Sequence, residues 1–114
     1  RANDPVTALQ VGEMQNLLVT AQLAVDSMIA LCDDLAFTPS EALASQILSR
    51  KTICANAVIA VTEKALEVCG GSGFMRKAGI ERLLRDAHAG QFHPLPEKRQ
   101  QMFTGRVALG LTPV

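Results

Sequence analysis

Apolar residues recur along the first third of the chain at alternating intervals of four and three residues. These positions are Met14, Leu18, Ala21, Val25, Met28, Cys32 and Leu35. Such spacing forms one stripe of an α-helix. Asp4 can cap this helix, and Pro5 suits its first position because proline lacks an N–H that would be unpaired there. The pattern predicts a helix from Pro5 to about Leu35. Further apolar residues widen its surface beyond the stripe: Leu17, Leu23, Ala24 and Leu31.

A second long helix is predicted to begin at a recognisable N-terminal signature. Thr38 and Glu41 have the spacing of a capping box, with Pro39 at the first helical position. The helix should run to about Cys69, where two glycines follow. One apolar face carries Leu43, Ile47, Cys54, Val58, Val61, Ala65 and Val68, and another carries Leu48, Ala55, Ile59, Leu66 and Cys69. A helix with two apolar faces needs cover on two sides.

The remaining chain predicts shorter elements. Residues 75–79 have the composition of a loop, and residues 80–88 that of a short helix. Prolines make 90–96 irregular, because a residue before proline avoids the helical region. A last helix is expected from Pro96 to Leu109, ending at Gly110. The predicted fold class is all-α: an up-down helical bundle of two long antiparallel helices plus two shorter C-terminal helices.

The length of the two long helices conflicts with a compact globule. A helix of about 31 residues is about 46 Å long, whereas a compact chain of 114 residues has a radius of gyration near 13 Å, roughly. The long helices should therefore form an elongated hairpin whose apolar sides two short helices cannot cover. We expect the missing cover to come from other chains or from a part of the protein outside this sequence.

Composition narrows the range of partners and compartments. Eleven lysines and arginines balance eleven aspartates and glutamates, which gives a formal net charge of zero. This balance argues against nucleic acid and anionic membranes as partners. No uninterrupted apolar run approaches the roughly 20 residues that cross a bilayer. Three cysteines suit a reducing compartment. We therefore expect no nucleic acid, no membrane and a cytoplasmic location.

The densest candidate chemistry is a glycine-rich stretch, EVCGGSGF at residues 67–74. Three glycines in four positions let the backbone turn sharply and approach a ligand closely. The stretch follows a helix C-terminus, however, where the dipole disfavours phosphate. Spacing alone favours a helix cap followed by a turn. That interpretation puts the special backbone at Gly70 or Gly71 and predicts that Gly73 tolerates a side chain.

Two arginines invite a binding interpretation that has a simpler alternative. Arg82 and Arg85 share one helix face and could bind a carboxylate or phosphate. Ion pairs with Glu81 and Asp86 on a solvated face are the favoured interpretation.

The basic pair and the histidines are also ambiguous from sequence. Arg50 and Lys51 interrupt the apolar faces of the second helix, so each needs a partner. Either they face a ligand or they pair with acidic residues of the first helix, such as Glu13, Asp26 or Asp33. His88 and His93 have no further ligand at zinc-like spacing and are interpreted as structural. The three cysteines are interpreted as small core residues.

The order of the motifs is informative as a whole. The glycine-rich stretch is followed by ERLLRDA at residues 81–87 and by a last helix that ends in GRVALG at 105–110. This order resembles the C-terminal helical domain of the acyl-CoA dehydrogenase family. There a Gln-x-x-Gly-Gly-x-Gly-Tyr/Phe pattern precedes a Glu-(Arg/Lys)-Leu-x-Arg-Asp-Ala block. The likeness is good over residues 39–87 and reasonable on either side.

The resemblance implies a part of a larger flavoenzyme. Residues 1–114 would be a partial C-terminal four-helix-bundle domain, lacking its first helix and the two domains that hold most of the FAD and acyl-CoA. The complete protein would dehydrogenate an acyl-CoA thioester in fatty acid metabolism. It would act as a homo-oligomer, dimer or tetramer, or with a partner polypeptide that carries the missing domains. The residues implied to contact the ADP part of the flavin are Glu67, Gly70, Gly71 and Gly73, with Glu67 where the family more often has glutamine.

The catalytic base is unknown from this sequence. Many members of the family carry a glutamate after the Arg-Asp-Ala block, and an ungapped alignment puts Pro94 there, which cannot accept a proton. Some relatives carry the glutamate on the first bundle helix. Two alternatives therefore stay open: a flavin-dependent monooxygenase of the same fold, which needs no such carboxylate, and a non-catalytic helical association module. The segment alone is expected to be inactive.

Overall fold

Five α-helices make up the computed structural model, which describes residues 3–114. They are α1 (Pro5–Cys32), α2 (Glu41–Cys69), α3 (Gly71–Phe74), α4 (Ile80–Ala87) and α5 (Glu97–Ala108). Short 3-10 turns lie at Asp33–Leu35, Arg76–Ala78 and His88–Gln91. The described residues contain no strand. The predicted all-α class, with two long helices followed by shorter ones, is confirmed.

The first helix begins as predicted and ends sooner. Asp4 Oδ1 accepts a hydrogen bond from the Val6 N–H at 2.9 Å, which satisfies one of the free donors of the first turn. At the other end, residues 33–35 all have positive φ angles of 44°, 52° and 66°. L-residues in that region cannot continue a right-handed helix, so α1 stops at Cys32.

The start of α2 corrects the predicted capping box. Ser40, and not Thr38, is the cap, because its Oγ accepts the Leu43 N–H at 3.0 Å and its backbone is extended. Pro39 therefore lies outside the helix, which begins at Glu41. A serine two residues closer to the first turn outcompeted the threonine for the same role.

Three polar side-chain pairs set how α1 lies against α2. They are Gln10–Glu67 at 3.1 Å, Glu13–Lys64 at 2.6 Å and Ser27–Arg50 at 2.7 Å. The residue numbers of every pair add up to 77, which is the signature of two antiparallel helices in one constant register. The predicted antiparallel hairpin is confirmed, and its register is set over more than four turns.

The stripe that α1 buries is rotated from the predicted one. Buried or half-buried residues include Met14, Leu17, Ala21, Ala24, Met28 and Leu31. Three residues of the predicted stripe are exposed instead: Leu18, Val25 and Leu35. The small side chains of Ala21 and Ala24, one turn apart, let α2 approach α1 closely on this side. Since α1 is apolar around more than one face, periodicity alone did not select the buried one.

The shorter helices cover another side of α2. Ser45 Oγ donates to Thr104 Oγ1 at 3.0 Å, and Gln100 Nε2 donates to the same oxygen at 2.8 Å. Ser45 and Gln100 are both buried, so this small network joins α2 to α5 in the interior. Further along, a Cβ added at Gly90 would lie 3.1 Å from Ala55 Cβ, which shows how closely the chain after α4 approaches α2. The prediction that α2 is covered on two sides is confirmed.

The shape confirms the elongated hairpin. The radius of gyration is 17.2 Å, and the molecule measures 52 × 25 × 22 Å. Its accessible surface is 7837 Å², whereas a compact protein of 12.2 kDa exposes about 6,100 Å². The chain thus exposes roughly 1,700 Å² more than a compact protein. Few apolar side chains are buried among the described residues: Ala21, Ala24, Ala57, Ile59 and Pro113.

One described helical stretch, residues 5–35, is long and apolar enough to cross a bilayer by length and composition. A core helix of a soluble protein meets the same criterion but is mostly buried, whereas 11% of this stretch is buried. Much of the apolar surface of α1 is therefore not covered by the rest of the described chain.

Candidate functional site

The glycine-rich stretch forms a sharp turn at the end of α2. Gly70 has φ 64° and ψ −149°, a backbone region that is essentially reserved for glycine. Its N–H bonds to the carbonyl oxygens of Leu66 at 3.1 Å and Glu67 at 3.2 Å, which closes the helix. Of the two positions predicted for the special backbone, the structure confirms Gly70.

The next two glycines have different surroundings. Gly71 is exposed, and a Cβ added there would meet nothing within 4 Å. Gly73 is buried, and its Cβ would come within 2.7 Å of Cys69 Cβ and 3.2 Å of Leu66 Cδ1. The prediction that Gly73 tolerates a side chain was wrong, because α3 folds back onto the end of α2. Gly70 and Gly71 are the part of the stretch that is open to a ligand.

Glu67 lies on α2, three residues before Gly70, within a polar cluster that joins α1 to α2. Gln10 Nε2 donates to Glu67 Oε1 at 3.1 Å, and Lys64 Nζ pairs with Glu67 Oε2 at 2.8 Å and with Glu13 at 2.6 Å. We call these four residues the Glu67 cluster. Its formal charge is −1, since two carboxylates surround one ammonium group.

The pairing sets the protonation states within the Glu67 cluster. The hydrogen bond and charge of Lys64 lower the pKa of Glu67. Hydrogen bonds to Glu13 and then Glu67 raise the pKa of Lys64 well above its ordinary value. Both groups are therefore charged at neutral pH, and the Glu67 carboxylate is half-exposed. A carboxylate in this state only accepts hydrogen bonds.

Sequence reasoning missed three members of this cluster, namely Gln10, Glu13 and Lys64. Gln10 and Glu67 are 57 positions apart in the chain, so no local motif connects them. The signal that could have found them is the register: once Ser27 faces Arg50, the same antiparallel offset brings Gln10 to Glu67.

The basic pair in the middle of α2 has neutral partners. Arg50 Nε donates to Ser27 Oγ at 2.7 Å, and Nη1 donates to the Gln46 carbonyl at 2.9 Å. Lys51 Nζ donates to the Leu95 carbonyl at 3.3 Å. The suggested pairing with acidic residues of α1 was wrong, because Arg50 and Lys51 lie about 100° apart on α2 and only Arg50 faces α1.

The arginines of α4 remain free of the ion pairs suggested for them. Arg82 and Arg85 are both exposed, and within residues 3–114 neither lies in an ion pair with Glu81, Asp86 or another carboxylate. Water solvates such groups as well as a neighbouring carboxylate does on an exposed helix, so little energy favours the pair.

The loop after α4 contains Pro94, which the resemblance aligns with a glutamate. The His93–Pro94 peptide bond is cis, and both residues are exposed. His88 Nδ1 lies 3.2 Å from Gln91 Oε1. Residues 88–96 contain no carboxylate, so this loop offers no acidic side chain as a base.

The cysteines are separate from one another. Cys32, Cys54 and Cys69 are free thiols of intermediate burial, and burial raises the pKa of Cys54. Throughout the part of the chain that the structure describes, no three His, Cys, Asp or Glu side chains gather into a group that could hold a metal ion.

The helical hairpin, the glycine turn at its end and the shorter helices that follow agree with the layout expected for the C-terminal helical domain that the sequence resembles. The sequence model of the family 'Acyl-CoA dehydrogenase, C-terminal domain' matches residues 1–97, which is most of the chain. The protein belongs to the acyl-CoA dehydrogenase family.

Two curated relatives illustrate the likeness. Cyclohex-1-ene-1-carbonyl-CoA dehydrogenase of Geobacter metallireducens is 39% identical over 59 residues, which are 52% of this chain and 16% of that protein. Putative acyl-CoA dehydrogenase YdbM of Bacillus subtilis is 30% identical over 92 residues, which are 81% of this chain and 24% of that protein. The chain thus spans a quarter or less of the length of these relatives. No solved structure matches it significantly.

Proposed function

We propose that this chain is the C-terminal bundle portion of an FAD-dependent acyl-CoA dehydrogenase-type oxidoreductase. The complete protein would remove hydrogen from the α and β carbons of an acyl-CoA thioester. Family membership over residues 1–97 supports this proposal, as do the dehydrogenase names of both relatives. Residues 1–114 would form part of the C-terminal domain of that complete protein. Domains outside this chain would hold most of the flavin and acyl-CoA.

The role proposed for this chain is to contact the ADP part of the flavin. The observation that carries it is the turn at Gly70 and Gly71, where a Cβ at either position would meet only open space. A ligand can therefore approach the backbone closely at this turn. Gly73 supports the turn from inside by allowing α3 to pack on Cys69.

The charges next to the turn indicate which part of ADP fits there. The Glu67 cluster has a formal charge of −1 and lies at the negative end of the α2 dipole, so it disfavours the pyrophosphate. The half-exposed Glu67 carboxylate suits a hydroxyl donor, as carboxylates do when they bind a nucleotide ribose. We therefore assign Glu67 to the ribose side of ADP.

The flavin contact is tested in the complete protein with Gly71→Val, because Gly71 can carry a side chain without a clash. Bound flavin per subunit after gel filtration should fall, while the melting temperature of the flavin-free protein stays near that of the wild type. Gly105→Val is the matched control, since Gly105 in α5 also has open space around it. Unchanged flavin occupancy in Gly71→Val would contradict the contact.

The catalytic proposal is tested at two levels. The complete protein should retain FAD and reduce an electron-accepting dye with an acyl-CoA. Residues 1–114 alone should do neither, because the domains proposed to hold flavin and substrate lie elsewhere. Turnover by the purified segment would refute the proposal that flavin and substrate binding require those other domains. A complete protein without flavin would favour the helical association module.

Assembly is the other part of the proposal. The uncovered surface of α1 and α2 calls for a further helix of the bundle and for contact with other subunits, as a dimer or tetramer or with a partner polypeptide. In isolation, residues 1–114 should self-associate at low micromolar concentration, as light scattering can measure. A monomer with a cooperative thermal melt would contradict the proposal that other helices or subunits must cover the apolar surface of α1 and α2.

A flavin-dependent monooxygenase of the same fold is the second candidate, and Pro94 is the observation that favours it. Monooxygenation needs no carboxylate base in this loop. The two reactions differ in what they consume: the dehydrogenase reduces a dye with acyl-CoA under anaerobic conditions, whereas the monooxygenase consumes oxygen with reduced flavin. Oxygen-independent dye reduction would exclude the second candidate.

A cytoplasmic location is proposed on the three free thiols, which suit a reducing compartment. Cell fractionation followed by detection of the protein tests it, and recovery in the membrane pellet would contradict it.

A further inference from the structure

The Glu67 cluster joins the two long helices beside the turn at Gly70. The Gly70 N–H bonds to the Glu67 carbonyl oxygen at 3.2 Å, so the backbone of Glu67 is part of the turn. Its side chain is held separately, because Gln10 contacts it from α1 and Lys64 from three residues earlier on α2. Glu67 is thus fixed twice, through its backbone by the turn and through its carboxylate by the cluster.

The cluster has one carboxylate more than a link between two helices requires. Glu13 and Lys64 alone would link α1 to α2 at 2.6 Å with no net charge. Glu67 adds a second carboxylate to the same ammonium group at 2.8 Å, which leaves the formal charge of −1. Further hydrogen-bond donors stabilise a surplus anion of this kind. Glu67 is therefore the member of the cluster that can gain from a ligand.

Exposure distinguishes the Glu67 carboxylate from the ammonium group that holds it. The Lys64 side chain is 22% exposed, whereas the Glu67 side chain is 50% exposed. Lys64 thus lies deeper in the protein than the carboxylate. A donor from outside the chain can reach Glu67, while Lys64 holds it from within.

Both oxygens of the Glu67 carboxylate have capacity for a further hydrogen bond. A carboxylate has about four acceptor sites, two on each oxygen. Among residues 3–114, Oε1 accepts one bond from Gln10 Nε2 at 3.1 Å, and Oε2 accepts one from Lys64 Nζ at 2.8 Å. One site on each oxygen is left, and the two adjacent hydroxyls of a ribose supply two donors.

An ordered carboxylate binds more tightly than a mobile one. A free glutamate side chain adopts many rotamers, and ordering it costs conformational entropy. Where contacts within the protein already order the side chain, ligand binding does not carry that cost. Lys64 also keeps Glu67 ionised, and an ionised carboxylate accepts stronger hydrogen bonds than a neutral one.

We propose that Gln10 and Lys64 are positioning residues for ribose recognition. They hold the Glu67 carboxylate so that its oxygens accept hydrogen bonds from the 2′ and 3′ hydroxyls of the adenosine ribose in FAD. Because Gln10 acts from α1, the antiparallel register of the hairpin contributes to flavin binding as well as to the fold. This proposal rests on the contact between Glu67 and the ribose proposed above, and it adds the residues that make this contact selective.

Selectivity for the ribose hydroxyls separates positioning from general support of the fold. The complete protein, freed of flavin, is titrated with FAD and with an FAD analogue whose adenosine is 2′,3′-dideoxy. The wild type should bind FAD about tenfold more tightly than the analogue, as expected for a hydrogen bond to a charged group. In Lys64→Met and in Gln10→Leu this ratio should fall toward one, because Glu67 is no longer held. Loss of a merely structural contact would weaken both ligands equally and leave the ratio unchanged.

Three further variants serve as controls. Lys64→Arg keeps a cation beside both carboxylates and should keep the wild-type ratio. Gln15→Leu replaces an exposed glutamine of α1, and Lys98→Met replaces a lysine of α5 that bonds to Gln101 at 3.2 Å. Both should match the wild type, and circular dichroism of the flavin-free proteins checks that each variant is folded.

The outcomes distinguish this proposal from the one on which it rests. A wild-type ratio in both Lys64→Met and Gln10→Leu would overturn the positioning role alone, as would an equal loss of selectivity in Gln15→Leu. A wild-type protein that binds both ligands equally, but loses flavin in Gly71→Val, would overturn the ribose contact of Glu67 and this proposal with it. Failure of the wild type to bind FAD would overturn the proposed function itself.

Discussion

Replacing Gly73 by alanine tests whether the glycine-rich stretch is shaped by packing as well as by ligand approach. The added Cβ would lie 2.7 Å from Cys69 Cβ and 3.2 Å from Leu66 Cδ1, both closer than relaxed contacts. Relieving the overlap requires α3 to shift away from the end of α2. Overpacking of this kind costs about 1–3 kcal/mol.

An opposing effect reduces this cost. Alanine restricts the unfolded chain more than glycine does, which stabilises a protein by about 0.4–1 kcal/mol where the backbone permits the change. Subtracting this gain from the cost leaves a net loss for Gly73→Ala of about 0–2.6 kcal/mol, with a central value of about 1.3 kcal/mol. Gly71→Ala has the same entropic gain and no clash, so it should be neutral or slightly stabilising.

The assay is a thermal melt followed by circular dichroism on residues 1–114 at one fixed concentration, because association makes the melting temperature depend on concentration. For a chain of this size, 1 kcal/mol corresponds to about 4 °C. Gly73→Ala should melt about 5 °C below the wild type, and Gly71→Ala at or slightly above it. Equal melting temperatures for the two variants would refute the packing role of Gly73.

Three further predictions concern the hairpin. Ser40→Ala removes the side chain that caps α2 through Leu43, so the free energy of unfolding should fall by about 1 kcal/mol in urea titrations, whereas Thr38→Ala should change little. Thr52→Val should leave stability unchanged or raise it, because the buried Thr52 hydroxyl has no hydrogen-bond partner; a clear loss in the same titrations would indicate a bound water. The pKa of Glu67 is lowered by Lys64, so their pairing stabilises the fold above the ordinary glutamate pKa and this contribution is lost as the pH falls through the lowered value. Lys64→Met should therefore flatten the acid side of the stability profile, and an unchanged profile would show that the pair contributes nothing.

Much of the fold could be predicted because its signals are local. The caps and breakers near Asp4 and Gly70 act through backbone groups a few residues away, so helix ends were placed to within a few residues. Where two caps competed, as Thr38 and Ser40 did, the difference of one hydrogen bond was too small to resolve from sequence.

The candidate site was predictable only in part. The turn at Gly70 follows from glycine chemistry, and Gly71 is open as a ligand contact requires. Gly73 was misjudged because its neighbours, Leu66 and Cys69, come from the helix onto which α3 folds back. No sequence pattern shows how closely α3 packs against the end of α2.

Three properties of this protein could be predicted from its sequence: it is helical, its two long helices form a hairpin, and a large apolar surface lies outside its own core. These properties follow from hydrophobic periodicity and chain length, which are encoded residue by residue. Two further properties required the packed fold: which stripe of α1 is buried, and which residues surround Glu67. The reason is that α1 is apolar on several sides, so the choice among them depends on the close fit of Ala21 and Ala24 against α2. The antiparallel register that brings Gln10 to Glu67 is set by the polar pairs between the two helices.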